Sequence, residues 1–230
     1  MDNWNNVEGD KRVVSDELAT VVKAMANGRR LEVIEMLAQG EHSVEALSRM
    51  LGMGVTTTSA HLQTLKQAGL VTTRRERTTV FYRLAGDDVA ELYLAAKRVG
   101  LRRSAKLREA VVSYLGQADV PGQADAARPA PVVDPAAVTP QMTVIDVRPR
   151  EEFEAGHFPG AVSLPLSELE ERFGEIPADA EVVVYCRGEF CRMAREAAAW
   201  LREQGVDAKA MDEGVIEWRG TKEVELDAAS

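Results

Sequence analysis

The spacing of apolar side chains in the first half of the chain predicts helices followed by a β-hairpin. Apolar residues recur every three or four positions, and Ser15 suits the N-cap of the first helix because its hydroxyl accepts a backbone hydrogen bond. The later predicted elements are helices over about 28–39, from a cap at Ser43, over about 56–68 and over about 87–115, and strands over about 70–74 and 79–84.

The second half alternates between short apolar runs and helical segments. Residues 143–147 and 181–185 suit buried parallel strands, and residues 192–204 suit a helix. Strand and helix in turn indicate a small α/β domain with a central parallel sheet. Between the halves, residues 117–132 are rich in Ala, Pro, Gly and Asp and predict a linker. We therefore expect two domains, 1–116 and 133–230.

Charge is divided unevenly between the halves. Residues 1–115 hold 17 Lys and Arg against 14 Asp and Glu, whereas residues 116–230 hold 11 against 23. Polyanion binding needs positive charge on the contacting surface, so the first half suits nucleic acid and the second does not. The sequence has no signal-peptide pattern and no apolar run of about 20 residues, so we expect a cytoplasmic protein with no membrane partner.

The order of elements in the first half predicts a winged helix-turn-helix, a mainly α fold that binds DNA. The second helix of the pair carries polar side chains suited to base edges and phosphates, while Leu62 and Leu65 face the core. The hairpin tip is basic. Candidate DNA-binding residues are Thr56, Thr57, Ser59, His61, Gln63, Arg74, Arg75 and Arg77.

Three segments of this half resemble the ArsR family: M-A-N-G-R-R-L-E-V-I-E-M-L, T-T-S-A-H-L-Q-T-L-K-Q-A-G-L-V and V-F-Y-R-L. The resemblance implies a homodimer, built from the first and last helices, that represses genes by binding double-stranded operator DNA. Many relatives sense metals through cysteines before the turn or through acidic residues and histidines on the last helix. Here residues 41–45 lack cysteine and the last helix lacks histidine, so we expect no metal site and no cofactor.

The two cysteines of the chain lie close together in the second half. Cys186 follows a predicted strand and precedes a helix, and Cys191 lies five positions later. Ligands of open α/β sheets bind at this end of the strands, and a loop entering a helix N-terminus favours thiolate over thiol. Arg187 and Arg192 add positive charge, and Glu189 opposes them. An inert core cysteine is the alternative interpretation.

The segments V-I-D-V-R-P-R-E-E-F-E-A-G-H-F-P-G-A-V-S-L-P and Y-C-R-G resemble the rhodanese family. The resemblance implies that Cys186 takes sulfane sulfur from a small donor (thiosulfate, polysulfide or a low-molecular-weight persulfide) and holds it as a persulfide. Asp146 and Arg148 would brace the loop, and His157 would be structural. Cys191 offers a second thiol, and its bridging to Cys186 is left open.

These observations support three functional hypotheses. The first is a transcriptional regulator whose DNA binding changes when Cys186 is loaded with sulfur or oxidised. The second is a sulfurtransferase that uses the winged helix for targeting or dimerisation. The third is a phosphatase or arsenate reductase, because Cys186 and Arg192 also fit a Cys, five residues, Arg pattern in which the arginine clamps an oxyanion; alternatively, Arg192 simply begins a helix.

Overall fold

The structure is a computed structural model that describes residues 3–116, 131–177 and 179–228, with side chains from residue 11 onward. These residues form two compact units. The first holds the residues up to Leu37 together with Glu41–Val89, and the second holds Ala38–Gly40 together with the residues from Ala90 onward. The domains 1–116 and 133–230 stay a prediction, and residues 117–130 of the predicted linker lie outside the described part of the chain.

The first unit has the predicted winged helix-turn-helix order. The second helix of the helix-turn-helix is α4, and β2 and β3 form the wing with β1 as a short third strand in the order β1-β3-β2, all antiparallel. The elements are α1 (Asn3–Met25), α2 (Gly28–Leu37), β1 (His42–Ser43), α3 (Val44–Met50), α4 (Val55–Gln67), β2 (Val71–Glu76) and β3 (Thr79–Leu84).

Local chemistry explains where these helices begin and end. The Ser43 hydroxyl accepts a hydrogen bond from the Ala46 amide at 3.2 Å, which confirms the predicted cap of α3. Gly52, in the turn after α3, and Gly69, after α4, have φ of 60° and 73°, a conformation that favours glycine. The prediction of a cap at Ser15 is wrong. Helix α1 begins at Asn3, and the Ser15 hydroxyl donates to the Lys11 carbonyl within the helix at 3.0 Å.

Two helices stand where a single long one was predicted. Helix α5 (Asp87–Arg103) ends before Ser104, and α6 (Ala105–Gly116) follows it. The Ser104 hydroxyl accepts a hydrogen bond from the Leu107 amide at 3.1 Å, so it caps the second helix. Apolar periodicity alone continues across this cap, which is why it predicts one helix. Asp87–Val89 of α5 belong to the first unit and the remainder of α5 to the second.

The rest of the second unit is the predicted α/β fold around a parallel sheet. The strand order is β4-β8-β7-β5-β6, and every pair is parallel. This confirms the predicted strands at 143–147 and 181–185, which are β5 and β7. The elements are β4 (Val132–Val133), β5 (Thr143–Asp146), α7 (Arg150–Glu154), β6 (Val162–Ser163), β7 (Glu181–Tyr185), α8 (Met193–Glu203), β8 (Asp207–Met211) and α9 (Val215–Thr221).

Both faces of this sheet are covered, which explains the continuous apolar run of β7. Val182 and Val184 join an apolar cluster with α8, whereas Val183 and Tyr185 join a second cluster with Trp218 of α9. Residues 182–185 are fully buried. The carboxyl end of β7 is thereby fixed, and Cys186 comes directly after it. No helix among the described residues is long and apolar enough to cross a membrane.

Candidate functional site

The loop from Cys186 to Arg192, here called the cysteine loop, joins β7 to α8. Its two cysteines form a disulfide bond with a Cα–Cα distance of 6.4 Å, which resolves the question of bridging that the sequence left open. The Cys191 amide donates to the Gly188 carbonyl at 2.8 Å, and this turn brings the chain back toward its start. Cys186 is only 2% exposed.

Of the two arginines predicted beside the thiolate, Arg187 is bound to a buried acid. Its guanidinium donates to both carboxylate oxygens of Glu152, at 2.9 and 2.6 Å, and Glu152 is 1% exposed. Such two-point bonding fixes the plane of the guanidinium. Arg187 therefore holds the cysteine loop to α7, and much of its charge is offset by Glu152.

The second arginine, Arg192, lies immediately before α8. Its Nη2 atom is 3.0 Å from Glu196 one turn later, and its guanidinium lies 5.7 Å from the centre of the Tyr114 ring. An ion pair with the residue four positions later is the usual interaction between neighbouring turns on a helix surface, so it fits an arginine at the start of a helix. The geometry favours this interpretation of Arg192 over that of an oxyanion clamp.

Asp146 and Arg148 form a buried network behind the cysteine loop. Arg148 Nη2 lies 2.5 Å from Asp146, and the Tyr185 hydroxyl donates to the same carboxylate at 2.6 Å. Arg148 also donates to the Gly156 carbonyl and to the Gln39 side chain, whose amide in turn donates to the Arg187 carbonyl. Burial opposes the charge of Arg148, but its bonds to Asp146 outweigh this and raise its pKa. The network thus joins β5 to β7 where the cysteine loop begins.

Glu189, which should weaken an anion cradle, is paired with a lysine that sequence reasoning missed. Lys97 of α5 lies 2.7 Å from Glu189 and 2.5 Å from Glu217, and its ammonium nitrogen lies 4.7 Å from the centre of the Phe190 ring. Its side chain is 10% exposed. Two successive residues of the cysteine loop are therefore held by one cation of α5.

Burial governs the electrostatics of this cluster. It raises the pKa of the Glu217 carboxyl, and Lys97 counteracts that effect. Burial also opposes the charge of Lys97, but Coulombic attraction to Glu217 and hydrogen bonds to both carboxylates raise its pKa overall. A signal for Lys97 existed in the sequence, since it lies three and four positions after the buried Leu94 and Tyr93 and shares their helix face.

A cleft of about 690 Å³ lies beside the cysteine loop. Its walls include Val147 after β5, Leu166, Arg187 and Met193. Arg150, Glu151 and Glu168 also line it, so its walls are apolar with charges of both signs and suit a small polar molecule. No group of three or more His, Cys, Asp or Glu side chains within the described ranges is arranged to hold a metal ion.

In the first unit, α4 presents most of the predicted DNA-binding side chains. Leu62 and Leu65 are fully buried, so the helix has one inner face. Gln63 is exposed, and its amide donates to the Tyr82 hydroxyl at 3.3 Å. Of the remaining candidates, the exposed ones are Thr56 and Thr57, and the half-buried ones are Ser59 and His61.

The three candidate arginines of the wing differ in their partners. Arg74 is 2.8 Å from both Glu41 and Glu76 and lies over the Phe81 ring. Arg75 and Arg77 are exposed, and Arg77 has a φ of 53° in the turn between β2 and β3. Arg75 and Arg77 are therefore better placed than Arg74 to bind phosphates.

Comparison with known proteins assigns both halves of the chain. The family model of bacterial regulatory proteins of the arsR family matches residues 27–73, and that of the rhodanese-like domain matches residues 134–221. An HTH-type transcriptional regulator of Mycobacterium tuberculosis is 43% identical over 209 residues, covering 91% of this chain and 90% of that protein. The chain belongs to the ArsR family of transcriptional regulators. It is an ArsR-family regulator with a rhodanese-like domain.

Other similar proteins match a smaller share of the chain. The transcriptional activator HlyU of Vibrio cholerae is 44% identical over 75 residues, which is 33% of this chain and 69% of that protein. A solution structure of the homodimeric winged helix-turn-helix DNA-binding domain of a Mycobacterium bovis protein is 49% identical, with a TM-score of 0.39. It covers 41% of this chain and 87% of its own.

Proposed function

We propose that this ArsR-family regulator is a homodimeric repressor that binds operator DNA. In the proposed mechanism, Cys186 accepts sulfane sulfur from a small donor, namely thiosulfate, polysulfide or a low-molecular-weight persulfide. Sulfur loading or oxidation of the cysteine loop then changes the affinity for the operator. The regulator would thus combine a sensor and a DNA-binding domain in one chain.

The surface of α1 supports dimerisation. Val14, Leu18 and Val22 recur every four residues on this helix, and each is more than half exposed. An apolar stripe of this kind indicates burial against another protein surface. A second copy of the chain is the natural partner because a two-fold dimer presents two recognition helices to a palindromic operator.

The position of Cys186 supports sulfur chemistry. The residue lies at the carboxyl end of a central parallel strand, where open α/β sheets bind ligands, and α8 begins shortly after it. The cleft beside the loop gives room for a small donor. In the reduced protein, we expect the dipole of α8 to favour a thiolate at this position, an effect that the burial of Cys186 opposes.

The single observation that carries the coupling is the contact of Lys97 with Glu189 and Phe190 of the cysteine loop. Helix α5 begins at Asp87, three residues after the end of β3, so the helix that contacts the cysteine loop also adjoins the wing in the sequence, and we propose that it carries the coupling. Coupling between two sites in a protein is typically about 1–3 kcal/mol, or about 5- to 150-fold in affinity. That range is sufficient to release an operator.

The test compares DNA affinity in two states of the same protein. A duplex is selected from a random pool by the reduced protein, and its Kd is measured before and after treatment with polysulfide. We expect wild type to lose at least about fivefold in affinity, whereas Cys186→Ser keeps one affinity throughout. Equal affinities of the two wild-type states would overturn the sensor proposal, and failure to select any duplex would overturn operator binding.

The cleft and the rhodanese-like match also favour a second function, catalytic sulfur transfer with the winged helix serving as a targeting module. Steady-state turnover with thiosulfate or polysulfide and a thiol acceptor measures it directly. Sulfur transfer that depends on Cys186, together with a DNA affinity that does not change on sulfur loading, would favour the catalytic function over the sensor function. Absence of transfer from both donors would exclude it.

A further inference from the structure

We infer that Cys191 resolves the persulfide of Cys186, releasing hydrosulfide and leaving the disulfide that the structure contains. This inference rests on the proposed function, because it needs Cys186 to accept sulfane sulfur. It adds a second reacting residue, Cys191, and it names a released product. It also changes the nature of the signal, since the state that persists after loading is a disulfide and not a persulfide.

The geometry of the cysteine loop supports an internal reaction. The two Cα atoms are 6.4 Å apart and their sulfurs are bonded, so the backbone of this loop accommodates direct contact of the sulfurs. The hydrogen bond from the Cys191 amide to the Gly188 carbonyl closes the turn. Lys97 of α5 contacts Glu189 and Phe190, the two residues in the middle of the loop.

Burial of Cys186 gives the internal thiol an advantage over thiols in solution. Cys186 is 2% exposed and lies in the apolar cluster against which Cys191 packs. An external acceptor would have to reach Cys186 in a second encounter after the donor has left, whereas Cys191 already packs against the cluster that holds Cys186. Fixing two reacting groups in one site removes the entropic cost of bringing them together.

The two steps balance without an added oxidant. First, the Cys186 thiolate attacks the outer sulfur of a low-molecular-weight persulfide, the donor's sulfur–sulfur bond breaks, and the donor leaves as a thiolate. Second, the Cys191 thiolate attacks the Sγ atom of Cys186, and the bond from that atom to the outer sulfur breaks. Hydrosulfide leaves, so the sulfane sulfur gains two electrons and the pair of cysteines loses two.

The experiment follows mass and sulfide together. Reduced wild type, Cys191→Ser and Cys186→Ser are treated without oxygen with glutathione persulfide whose sulfane sulfur carries a heavy isotope. Intact masses are then measured without reductant. We expect wild type to lose two hydrogen atoms and release one labelled sulfide per chain. We expect Cys191→Ser to gain one labelled sulfur and release none, and Cys186→Ser to stay unchanged. Thermal unfolding checks that each variant is folded.

Each other outcome overturns the inference in a recognisable way. Wild type that keeps the added sulfur as Cys191→Ser does would show that Cys191 does not resolve the persulfide, while leaving the proposed function intact. Labelled sulfur on Cys186→Ser would make Cys191 the acceptor. If neither wild type nor Cys191→Ser reacts, sulfur loading itself fails and the proposed function fails with it. A disulfide formed without labelled sulfide would assign the bond to another oxidant.

Discussion

At the scale of single residues, the region behind the cysteine loop depends on charges that are entirely removed from water. Asp146 and Arg148 are both fully buried and form an ion pair with each other. Asp146 also accepts a hydrogen bond from the Tyr185 hydroxyl, and Arg148 donates one to the Gly156 carbonyl. A buried ion pair adds little net stability because desolvation offsets attraction, but removal of one partner leaves a buried charge uncompensated. Large effects are therefore expected from substitutions of either partner.

Arg148→Met tests this dependence on the buried pair. The variant leaves the Asp146 carboxylate without its counter-ion, and we expect the unfolding free energy of the second unit to fall by about 3–5 kcal/mol in urea titrations. Arg150→Met removes the same charge from an exposed position nearby and should cost less than about 0.5 kcal/mol. Similar losses in both variants would show that the buried pair is not what matters.

Tyr185 makes stability depend on alkaline pH. Burial, together with the charge of Asp146, raises the pKa of its hydroxyl far above the ordinary value of about 10. The folded state then keeps a proton that the unfolded state loses, so unfolding free energy should fall above pH of about 10 by up to about 1.4 kcal/mol per pH unit. Below that pH this contribution is fully present.

Tyr185→Phe separates this contribution from those of other groups. Urea unfolding from pH of about 8 to about 11 should show the variant less stable at the lower pH, by about 1.5–3 kcal/mol for the lost bond to a carboxylate. Its decline at higher pH should be shallower than that of wild type. Tyr114→Phe, at a half-exposed position, should keep the wild-type decline. Parallel curves for wild type and Tyr185→Phe would refute the assignment.

At the scale of elements, α5 is packed closely against α9. A Cβ atom added to Gly220 of α9 would lie 2.6 Å from the Leu94 side chain and 3.1 Å from the backbone of Ala90. Glu217 lies about one turn before Gly220. Its carboxylate accepts a hydrogen bond from the Gly214 amide at the start of α9 and forms an ion pair with Lys97. Lys97 thus joins α5, α9 and the cysteine loop at one point.

Lys97→Met should loosen this junction. It leaves the buried Glu217 carboxylate uncompensated, and we expect a loss of about 3 kcal/mol in the unfolding free energy of the second unit. The Cys191 amide, which donates to the Gly188 carbonyl in the cysteine loop, should also lose protection against hydrogen exchange, because the contacts of the loop with α5 are gone. Lys106→Met on exposed α6 is the matched control and should change neither quantity. Unaltered exchange in the loop of Lys97→Met would contradict the role given to this lysine.

The wing gives a separate prediction about DNA. Arg75→Ala and Arg77→Ala should each weaken duplex binding and reduce the slope of log Kd against log salt by about 1, as expected for one lost phosphate contact. Arg74→Ala should change the slope less, because Glu41 and Glu76 already hold its guanidinium. Fluorescence anisotropy over a series of salt concentrations measures all three. Equal slopes for the three variants would mean that ion pairing in the wing does not decide which arginines contact DNA.

The elements also show what a single sequence can and cannot reveal. The strands β5 and β7 were predictable because their apolar runs are buried on both faces, and the cap at Ser43 was predictable from local chemistry. The helix cap at Ser104 was not predictable, because the apolar periodicity continues across this residue. The position of Cys186 followed from the strand before it. The pairings of its loop with Glu152 and Lys97 join residues far apart in the chain, and no local pattern carries them.

At the scale of the whole molecule, acidic and basic residues are divided between two functions. The second half carries most of the chain's negative charge, which discourages non-specific contact of the rhodanese-like domain with DNA. The proposed operator binding then falls to α4 and the wing. Any influence of the cysteine loop on the operator must accordingly pass through the protein as a coupling free energy, and such coupling is reciprocal.

Reciprocity turns the proposed coupling into a prediction about the disulfide. If formation of the Cys186–Cys191 bond weakens operator binding tenfold, then saturating operator must favour the reduced pair tenfold and raise its reduction potential by about 30 mV. Titration in a dithiol redox buffer, with the selected duplex and with a scrambled one, measures this shift. Only the selected duplex should produce it, and Lys97→Met should reduce it because the loop no longer contacts α5. The opposite result is a DNA affinity that changes with oxidation together with a reduction potential of the cysteine pair that is the same with and without operator. It would mean that the oxidation that changes DNA affinity occurs at a residue other than these two cysteines.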